Sequence, residues 1–297
     1  MRILVTGASG WIGSASAREL ISAGHHVLGL ARNDESAAKI AKLGAEVVRG
    51  SLDDLASLRS AVAQAEGVVH MGYNHDFSQM AAAAQTDRAA IDVFAEALQG
   101  TGGPLMIASG TVGLAPGRVG TEQDMPQAGI HPRAANAAYT LGLADRGIRS
   151  MVMRFAPTVH GAGGDHGFVA ALARIAREKG VSAYIGEGRN RWPAVNRLDA
   201  GKLVQLAIES AAPGSVLHAI DEEGIATRDI AAALGQFLGV TVESIPAEQG
   251  QAHFGWMNMF FSADAPASSA ITRAQLDWTP THATLMEDIA AGHYPGN

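Results

Sequence analysis

Three glycines separated by two residues each follow a strand pattern at the start of the chain and precede a helical one. Gly7, Gly10 and Gly13 come directly after the apolar run Arg2–Thr6. Such a turn lets backbone N–H groups approach a pyrophosphate, and the N-terminus of the following helix stabilises the anion. The strand–turn–helix context therefore predicts a dinucleotide-binding turn. The other residues assigned to it are Ser9, Trp11 and Ile12.

The end of the second predicted strand indicates which dinucleotide binds. Arg32 and Asn33 stand where an acidic residue would bind the adenosine ribose of NAD. An acid would repel the extra phosphate of NADP, whereas an arginine can form a charge-assisted fork with it. The sequence predicts NADP(H) in preference to NAD(H). The alternative is that Arg32 is a solvated surface charge and that Asp34 or Glu35 turns back toward the ribose.

The elements that position these residues alternate between short apolar runs and helical patterns, which is typical of a parallel sheet with crossover helices. Seven strands are predicted: Arg2–Thr6, His26–Ala31, Glu46–Arg49, Gly67–Met71, Pro104–Ala108, Ser150–Phe155 and Val216–Ile220. The predicted helices are Trp11–Ser22, Leu55–Ala63, Gln79–Leu98 and Arg133–Asp145, followed later by Arg228–Leu238 and Leu285–Ala291. The fold class is α/β, a doubly wound Rossmann-type sheet with a smaller C-terminal cap.

Composition limits the possible functions. The chain has 297 residues, of which 47% are hydrophobic and 17% charged, a composition typical of an ordered globular protein. Its formal charge of −7 disfavours nucleic-acid binding. The absence of cysteine excludes disulfides, thiolate metal sites and a cysteine nucleophile. No apolar stretch is long enough for a membrane span, so a cytoplasmic protein is expected. No metal site is predicted, because the histidines around Asp165 lack a further ligand pair.

The motifs identify a family. They are Thr6–Gly13, Gly50–Asp54, Val69–Gly72, Ala108–Thr111, Arg154–Gly161, Ser268–Thr272 and Leu276–Pro280. Together they resemble the short-chain dehydrogenase/reductase superfamily, in its extended and atypical branches. The resemblance implies strand order 3-2-1-4-5-6-7, with the cofactor at the carboxyl ends of the strands. Residues 1–160 with about 196–222 would form the NADP-binding domain, and about 161–195 with 223–297 the substrate-binding cap.

The same resemblance implies further cofactor contacts. Ser51 and Leu52, after the third strand, would lie at the adenine. Met71 and Gly72, at the end of the fourth strand, would line the middle of the cofactor. The loop after the sixth strand, with Pro157 and Thr158, would meet the nicotinamide. Ser109 occupies the place of the catalytic serine or threonine. Ser51 stands where relatives usually have an aspartate. The implied residues are Ser51, Leu52, Met71, Gly72, Ser109, Pro157, Thr158 and His160.

The proton relay that most active relatives use is absent. It consists of a tyrosine and a lysine one helical turn apart, in the pattern Tyr-x-x-x-Lys. The residues four positions after Tyr73, Tyr139 and Tyr184 are Phe77, Leu143 and Gly188, and Tyr294 has no residue at that distance. In register with the family, Ala128 stands at the tyrosine position, Pro132 at the lysine and Asn136 at a commonly acidic one. The chain is therefore an atypical member.

Other groups at the carboxyl ends of the strands could supply a proton. Tyr73 and His75 follow the fourth strand, and either could donate to a developing alkoxide, with Asp76 acting on a neighbouring imidazole. Ser109 and Thr111 follow the fifth strand and could hydrogen-bond a carbonyl oxygen. The alternatives are a loop that only packs over the cofactor, and hydroxyls that only cap a strand end.

Four residues are predicted to contact a substrate: His166, Phe168, Trp192 and Trp256. The last belongs to an aromatic run, 253–261, which could equally line an apolar pocket, form the core of the cap or form a dimer surface. Asp199 is expected to cap the helix that follows it.

The predicted function is NADP(H)-dependent reduction of a small or medium, fairly apolar carbonyl compound by hydride transfer without the Tyr–Lys relay. The first alternative is a non-catalytic NADP(H)-binding redox regulator, which the vacant Tyr and Lys positions favour. The second is an NAD(P)-dependent epimerase or isomerase. The expected partner is a small molecule, with no nucleic acid and no membrane, and a homodimer is a possible assembly.

Overall fold

The computed structural model describes residues 1–74, 76, 79–126 and 132–294. Its strands are β1 Arg2–Thr6, β2 His26–Ala31, β3 Glu46–Arg49, β4 Gly67–His70, β5 Pro104–Gly110, β6 Arg149–Phe155, β7 Thr158–His160, β8 Val181–Ile185, β9 Arg191–Asn196, β10 Ser215–Ala219, β11 Glu222–Ala226 and β12 Thr241–Ile245. Its α-helices are α1 Trp11–Ser22, α2 Asp34–Lys42, α3 Leu55–Val62, α4 Met80–Leu98, α5 Pro132–Gly142, α6 Phe168–Lys179, α7 Arg197–Ser210, α8 Thr227–Leu238, α9 Gly250–Phe254, α10 Asn258–Phe261, α11 Ala270–Leu276 and α12 Leu285–Ala290.

A seven-stranded sheet forms the centre of the molecule, in the order β10-β6-β5-β4-β1-β2-β3. Every neighbouring pair in it is parallel. Since β10 is the seventh strand predicted from the sequence, the expected order 3-2-1-4-5-6-7 is confirmed. Both faces of the sheet are covered by apolar residues. The carboxyl ends of β1, β4 and β5 consequently lie side by side at one edge, where a ligand of such a sheet binds.

Helix α2 is absent from the sequence prediction. It is short, at nine residues, and buries only Ala37 and Ile40. Its start is fixed by a capping box, in which the Asn33 side chain accepts from the Ser36 backbone N–H at 2.9 Å and Ser36 Oγ accepts from the Asn33 N–H at 3.1 Å. The capping box therefore fixes the residue at which the helix begins.

The helix predicted over 133–145 is shorter than expected. Helix α5 ends at Gly142, and a 3₁₀ turn, Leu143–Arg146, follows it. Glycine lowers helix stability in an interior position, and Gly147 then adopts φ +70°, which turns the chain into β6.

Two small sheets lie outside the main one. One has the order β11-β9-β7 and the other pairs β12 with β8. Apolar residues of α6, α8, α12 and the aromatic run 253–261 pack together beside them in a separate core. The domain boundaries proposed from the sequence stay a prediction. Among the residues described, no helix is long and apolar enough to cross a membrane.

Candidate active site

The glycine turn between β1 and α1 depends on the absence of side chains at two positions. Gly7 adopts φ +72°, and a Cβ atom on it would lie 2.9 Å from the backbone nitrogen of Gly72. A Cβ on Gly13 would lie 2.1 Å from the Gly7 carbonyl oxygen. Both distances are too short for a carbon atom, so the close approach of β1, α1 and the end of β4 requires glycine.

The N-terminus of α1 fits the pyrophosphate of a dinucleotide. Gly10 is the N-cap residue, no side chain caps this helix, and its first turn contains no acidic residue. The first N–H groups of a helix lack intrahelical acceptors, and the helix dipole favours an anion there. Among the described residues, a Cβ on Gly10 would meet only the Gly7 carbonyl oxygen, at 3.1 Å. The turn thus leaves donors and space for a phosphate group.

Trp11 connects this turn to the segment after β6. Its Nε1 donates to the Val159 carbonyl oxygen at 2.7 Å, and the His166 ring lies 6.4 Å away, edge to face. The guanidinium carbon of Arg197 lies 4.0 Å from the Trp11 ring centroid. Throughout the described ranges that guanidinium has no hydrogen bond or ion pair, so it is available to an anion. Sequence reasoning missed Arg197, because only folding brings the start of α7 beside α1.

The region after β2 retains an exposed basic group. Arg32 is exposed at the end of the strand. The two acids that could have turned toward a ribose have other partners: Asp34 pairs with Arg49 at 2.6 Å and Glu35 with Lys39 at 2.7 Å. These surface pairs are weak, but they orient both carboxylates toward cations of the protein. Asn33, the other predicted contact, uses its side chain to cap α2.

The residues assigned to the adenine and the middle of the cofactor lie at the ends of β3 and β4. Ser51, Leu52, Met71 and Gly72 are all partly exposed. The Gly72 N–H donates to Thr6 Oγ1 at 2.9 Å, which joins the segment after β4 to the end of β1. This arrangement leaves partly exposed surface on both sides of the glycine turn.

The candidate proton donors follow two neighbouring strands. Because β4 and β5 are parallel and hydrogen-bonded, Tyr73 and Ser109 lie at the same edge of the sheet, and both are half-buried. Thr111 is 1% exposed, and its hydroxyl has no hydrogen-bond partner among the residues described. His75 lies outside the described residues. The structure thus brings two of the four candidates to one edge of the sheet and buries a third, Thr111, just beyond it.

Buried polar side chains link β1 and β4 to α4 and α5. Thr6 Oγ1 lies 2.7 Å from His70 Nδ1, and His70 Nε2 lies 3.2 Å from Asp87 Oδ1. The other oxygen of Asp87 accepts from Asn136 Nδ2 at 2.7 Å. All four side chains are at most 4% exposed. Asn136, at the position that is commonly acidic in the family, therefore serves as a donor to a buried carboxylate.

Arg133, in the first turn of α5, is part of the same neighbourhood. Its guanidinium carbon lies 4.0 Å from the centroid of the Tyr73 ring. Burial raises the pKa of the Tyr73 phenol, while the charge of Arg133 opposes that rise and Asp87 adds to it. Sequence reasoning did not identify Arg133 as a functional residue. A signal was present, because a cation directly follows Pro132, the residue that stands at the lysine position of the family.

The segment after β6 has its side chains engaged within the protein. The Thr158 hydroxyl donates to the Pro193 carbonyl oxygen. His160 is 1% exposed, and its Nδ1 lies 2.6 Å from Asp288 Oδ2 of α12. Pro157 is half-buried. These contacts join the predicted nicotinamide loop to the C-terminal helix, so a ligand there would meet the backbone more than these two polar side chains.

The aromatic residues predicted to contact substrate separate into a core and a surface. Trp192 has no exposed area, and its Nε1 donates to the Phe260 carbonyl oxygen at 3.1 Å. Phe168 is half-buried, and its ring lies 5.8 Å from those of both Trp192 and Trp256. Trp256 is 44% exposed, and His166 is exposed as well. The cluster therefore extends from the separate hydrophobic core beside the two small sheets to the surface of the protein.

Comparison with known proteins identifies the relatives of this fold. A family model described as "NAD dependent epimerase/dehydratase family" matches residues 3–219. An uncharacterized protein of Schizosaccharomyces pombe is 46% identical over 99% of this chain and 100% of its own length. The 2-alkyl-3-oxoalkanoate reductase of Stenotrophomonas maltophilia is 27% identical over 72% of this chain and 67% of its own. The Thermus thermophilus UDP-glucose 4-epimerase in complex with NAD has the same fold, with a TM-score of 0.76 and 20% identity over 100% of this chain and 99% of its own.

Proposed function

This chain belongs to the NAD dependent epimerase/dehydratase family, and from that premise we propose that it is an NADP(H)-dependent reductase. Its substrate is a small or medium, fairly apolar carbonyl compound, reduced by hydride transfer. The observation that carries the proposal is the pair of half-buried residues with hydroxyl groups, Tyr73 and Ser109, at neighbouring strand ends next to the open glycine turn. That edge is where a dinucleotide lies in doubly wound sheets.

The residues of the turn have a binding role in this proposal. The open N-terminus of α1 accepts the pyrophosphate, and the guanidinium of Arg197, stacked on Trp11, adds positive charge. The exposed Arg32 binds the 2′-phosphate of NADP. When bound, the nicotinamide supplies or accepts the hydride, while the protein orients the reactants and excludes water.

Tyr73 is the proton donor of the proposed reaction. As hydride reaches the carbonyl carbon, the phenol O–H bond breaks and the proton moves to the developing alkoxide oxygen. Ser109 donates a hydrogen bond to that same oxygen and fixes its position. Because burial raises the pKa of the Tyr73 phenol above its ordinary value, the side chain carries its proton near neutral pH. Solvent then restores the proton.

Support for the substrate class comes from the cap and from one relative. The exposed Trp256 beside Phe168 offers an apolar surface, and Phe168 follows His166 by two residues in the segment whose His166 ring lies beside Trp11. The name of the Stenotrophomonas relative describes reduction of an alkyl-substituted oxoalkanoate, a carbonyl compound with alkyl portions. Both favour a substrate with an alkyl or aryl portion.

Two other functions have specific observations in their favour. A non-catalytic NADP(H)-binding regulator is consistent with Ala128 and Pro132 at the positions of the usual tyrosine and lysine. An epimerase or isomerase that uses the nicotinamide transiently is consistent with the description of the family model. The reductase ranks first because hydroxyl donors are retained at the strand ends.

The test is the loss of NADPH absorbance near neutral pH over a panel of ketones, aldehydes, imines and activated alkenes, with NADH in parallel. Oxidation of NADPH by an apolar ketone or aldehyde would support the reductase. Tight NADPH binding with no turnover across the panel would favour the regulator instead. Reversible conversion of a hydroxylated substrate without net NADPH consumption would indicate the epimerase.

A further inference from the structure

Arg133 and Tyr73 form a stacked pair at the edge of the sheet where β4 ends and α5 begins. The guanidinium carbon lies 4.0 Å from the ring centroid, within the range of a cation–π contact. Tyr73 belongs to the segment after β4, and Arg133 to the first turn of α5. The contact therefore joins two elements that are sixty residues apart in sequence, and it is made by tertiary folding alone.

The buried carboxylate of Asp87 places negative charge in the same neighbourhood. Asp87 is 3% exposed and is bound by His70 of β4 and Asn136 of α5. Burial lowers the pKa of the Arg133 guanidinium, while the negative charge of Asp87 opposes that change. The contacts with His70 and Asn136 hold this negative charge in place, and a fixed negative charge favours a cation in its neighbourhood.

A guanidinium against a phenol ring has a direct chemical consequence. When a tyrosine gives up its proton, its ring and oxygen acquire negative charge, and a fixed cation a few ångströms away stabilises that state. The cation also holds the ring in one orientation. The groups that act on Tyr73 from the surrounding elements are Arg133 of α5 and Asp87 of α4, with opposite signs.

We propose that Arg133 is a positioning residue for the proton donor: stacked on Tyr73, it orients the ring and offsets the negative charge that forms when the phenol donates its proton to the substrate oxygen. The inference rests on the proposed reductase function. It assigns no contact between Arg133 and the substrate. It predicts that loss of the guanidinium makes Tyr73 harder to ionise and slows the chemical step, while cofactor binding is retained.

The first measurement needs no substrate. The chain has four tyrosines, so phenol ionisation can be followed by ultraviolet difference absorbance, and the contribution of Tyr73 is assigned with Tyr73→Phe. In Arg133→Met, the titration midpoint of Tyr73 is expected to rise by about one pH unit. Arg133→Lys keeps a cation and should retain most of the original midpoint. Arg133→Gln makes the same test if the methionine variant does not fold.

A matched control is present on the neighbouring helix. Arg88 of α4 stacks on Tyr139 with its guanidinium carbon 3.3 Å from that ring. Arg88→Met removes the same kind of contact and should change the titration of Tyr139 while leaving that of Tyr73 unaltered. The comparison separates a local effect of Arg133 from a general effect of losing one positive charge.

The second measurement is turnover at saturating NADPH. Arg133→Met is expected to lower kcat about tenfold or more with an unchanged Kd for NADPH, and Arg133→Lys to recover part of the rate. A folded Arg133→Met protein with an unshifted Tyr73 midpoint would overturn the proposal even if the enzyme is a reductase. A shifted midpoint in a protein that turns over no substrate would instead contradict the reductase function, while the effect of Arg133 on the ionisation of Tyr73 would remain supported.

Discussion

Arg32 and Arg197 place positive charge at two separate points of the candidate cofactor site. Arg32 is exposed after β2, and Arg197 stacks on Trp11 at the glycine turn. A 2′-phosphate distinguishes NADP from NAD, whereas the pyrophosphate is common to both. The two arginines should consequently differ in what their loss does to cofactor choice.

Replacement of Arg32 by alanine tests the choice of cofactor. Since the guanidinium is proposed to bind the 2′-phosphate, Arg32→Ala should cost about 1.5 to 3 kcal/mol of NADPH affinity and spare NADH. Titration calorimetry with each cofactor measures both effects, and Lys42→Ala, which removes an exposed cation from the far end of α2, is the control. Equal losses for NADPH and NADH would rule out this assignment.

Replacement of Tyr73 by phenylalanine tests the proton donor. The variant keeps the ring under Arg133 but removes the O–H group, so turnover should fall by about 10² or more with NADPH affinity retained. Initial rates on a substrate found in the panel, together with the Kd for NADPH, give the answer. Tyr139→Phe is the matched control on the α5 surface. An unchanged rate would remove Tyr73 from the mechanism and leave His75, outside the described residues, as the other candidate.

The buried carboxylate of Asp87 joins helices α4 and α5, and the local sequence pattern does not predict it. Asp87 is polar, on a helix rich in alanine, and faces inward to meet His70 and Asn136. Although burial acts to raise its pKa, hydrogen bonds to His70 and Asn136 and the charges of His70 and Arg133 lower it overall. The junction of these two helices is thus stabilised by a carboxylate that must remain ionised.

Lowering the pH should weaken the junction between α4 and α5. A carboxylate whose pKa is lower in the folded state than in the unfolded state stabilises the protein above its ordinary pKa of 3.8. That stabilisation is lost as the pH falls through the pKa of the folded state. Asp87→Asn should lower the free energy of unfolding by about 2 to 4 kcal/mol at pH 7. Urea unfolding from pH 7 down to about pH 3 should show the difference from the original protein shrinking below about pH 4. A difference that stays constant with pH would contradict the assigned role.

Across the whole molecule, the C-terminal segment ties the main sheet to the outer elements. Asp199 of α7 is buried, and its carboxylate accepts from the backbone N–H groups of Thr281 and His282 at 3.0 Å. Asp288 of α12 holds His160 of β7. The expectation that Asp199 caps its helix is wrong, because Asn196 is the N-cap residue and accepts from the Leu198 N–H. A cytoplasmic location and a homodimer stay predictions.

Removal of the Asp288 carboxylate tests how strongly this segment holds the molecule together. Three groups bind it: His160 at 2.6 Å, Asn196 at 3.2 Å and His293 at 3.1 Å. Asp288→Ala removes this shared carboxylate from all three groups and should lower the free energy of unfolding by about 2 to 4 kcal/mol. Glu178→Ala, which breaks an exposed pair with Arg174, should change it by about 0.5 kcal/mol or less. Similar values for the two variants in urea unfolding would contradict a central role for Asp288.

The sequence by itself determined the parallel sheet and the glycine turn. Strand periods, glycine spacing and the turn-to-helix transition are local properties, so β1, β2, β3 and α1 have the predicted bounds. Tertiary structure decided which polar side chains meet. The contacts of Arg133 with Tyr73, Arg197 with Trp11 and His160 with Asp288 span 60, 186 and 128 positions. No periodicity reports such pairs, because their distances depend on how buried charges and hydrogen-bonding groups find partners when the elements pack.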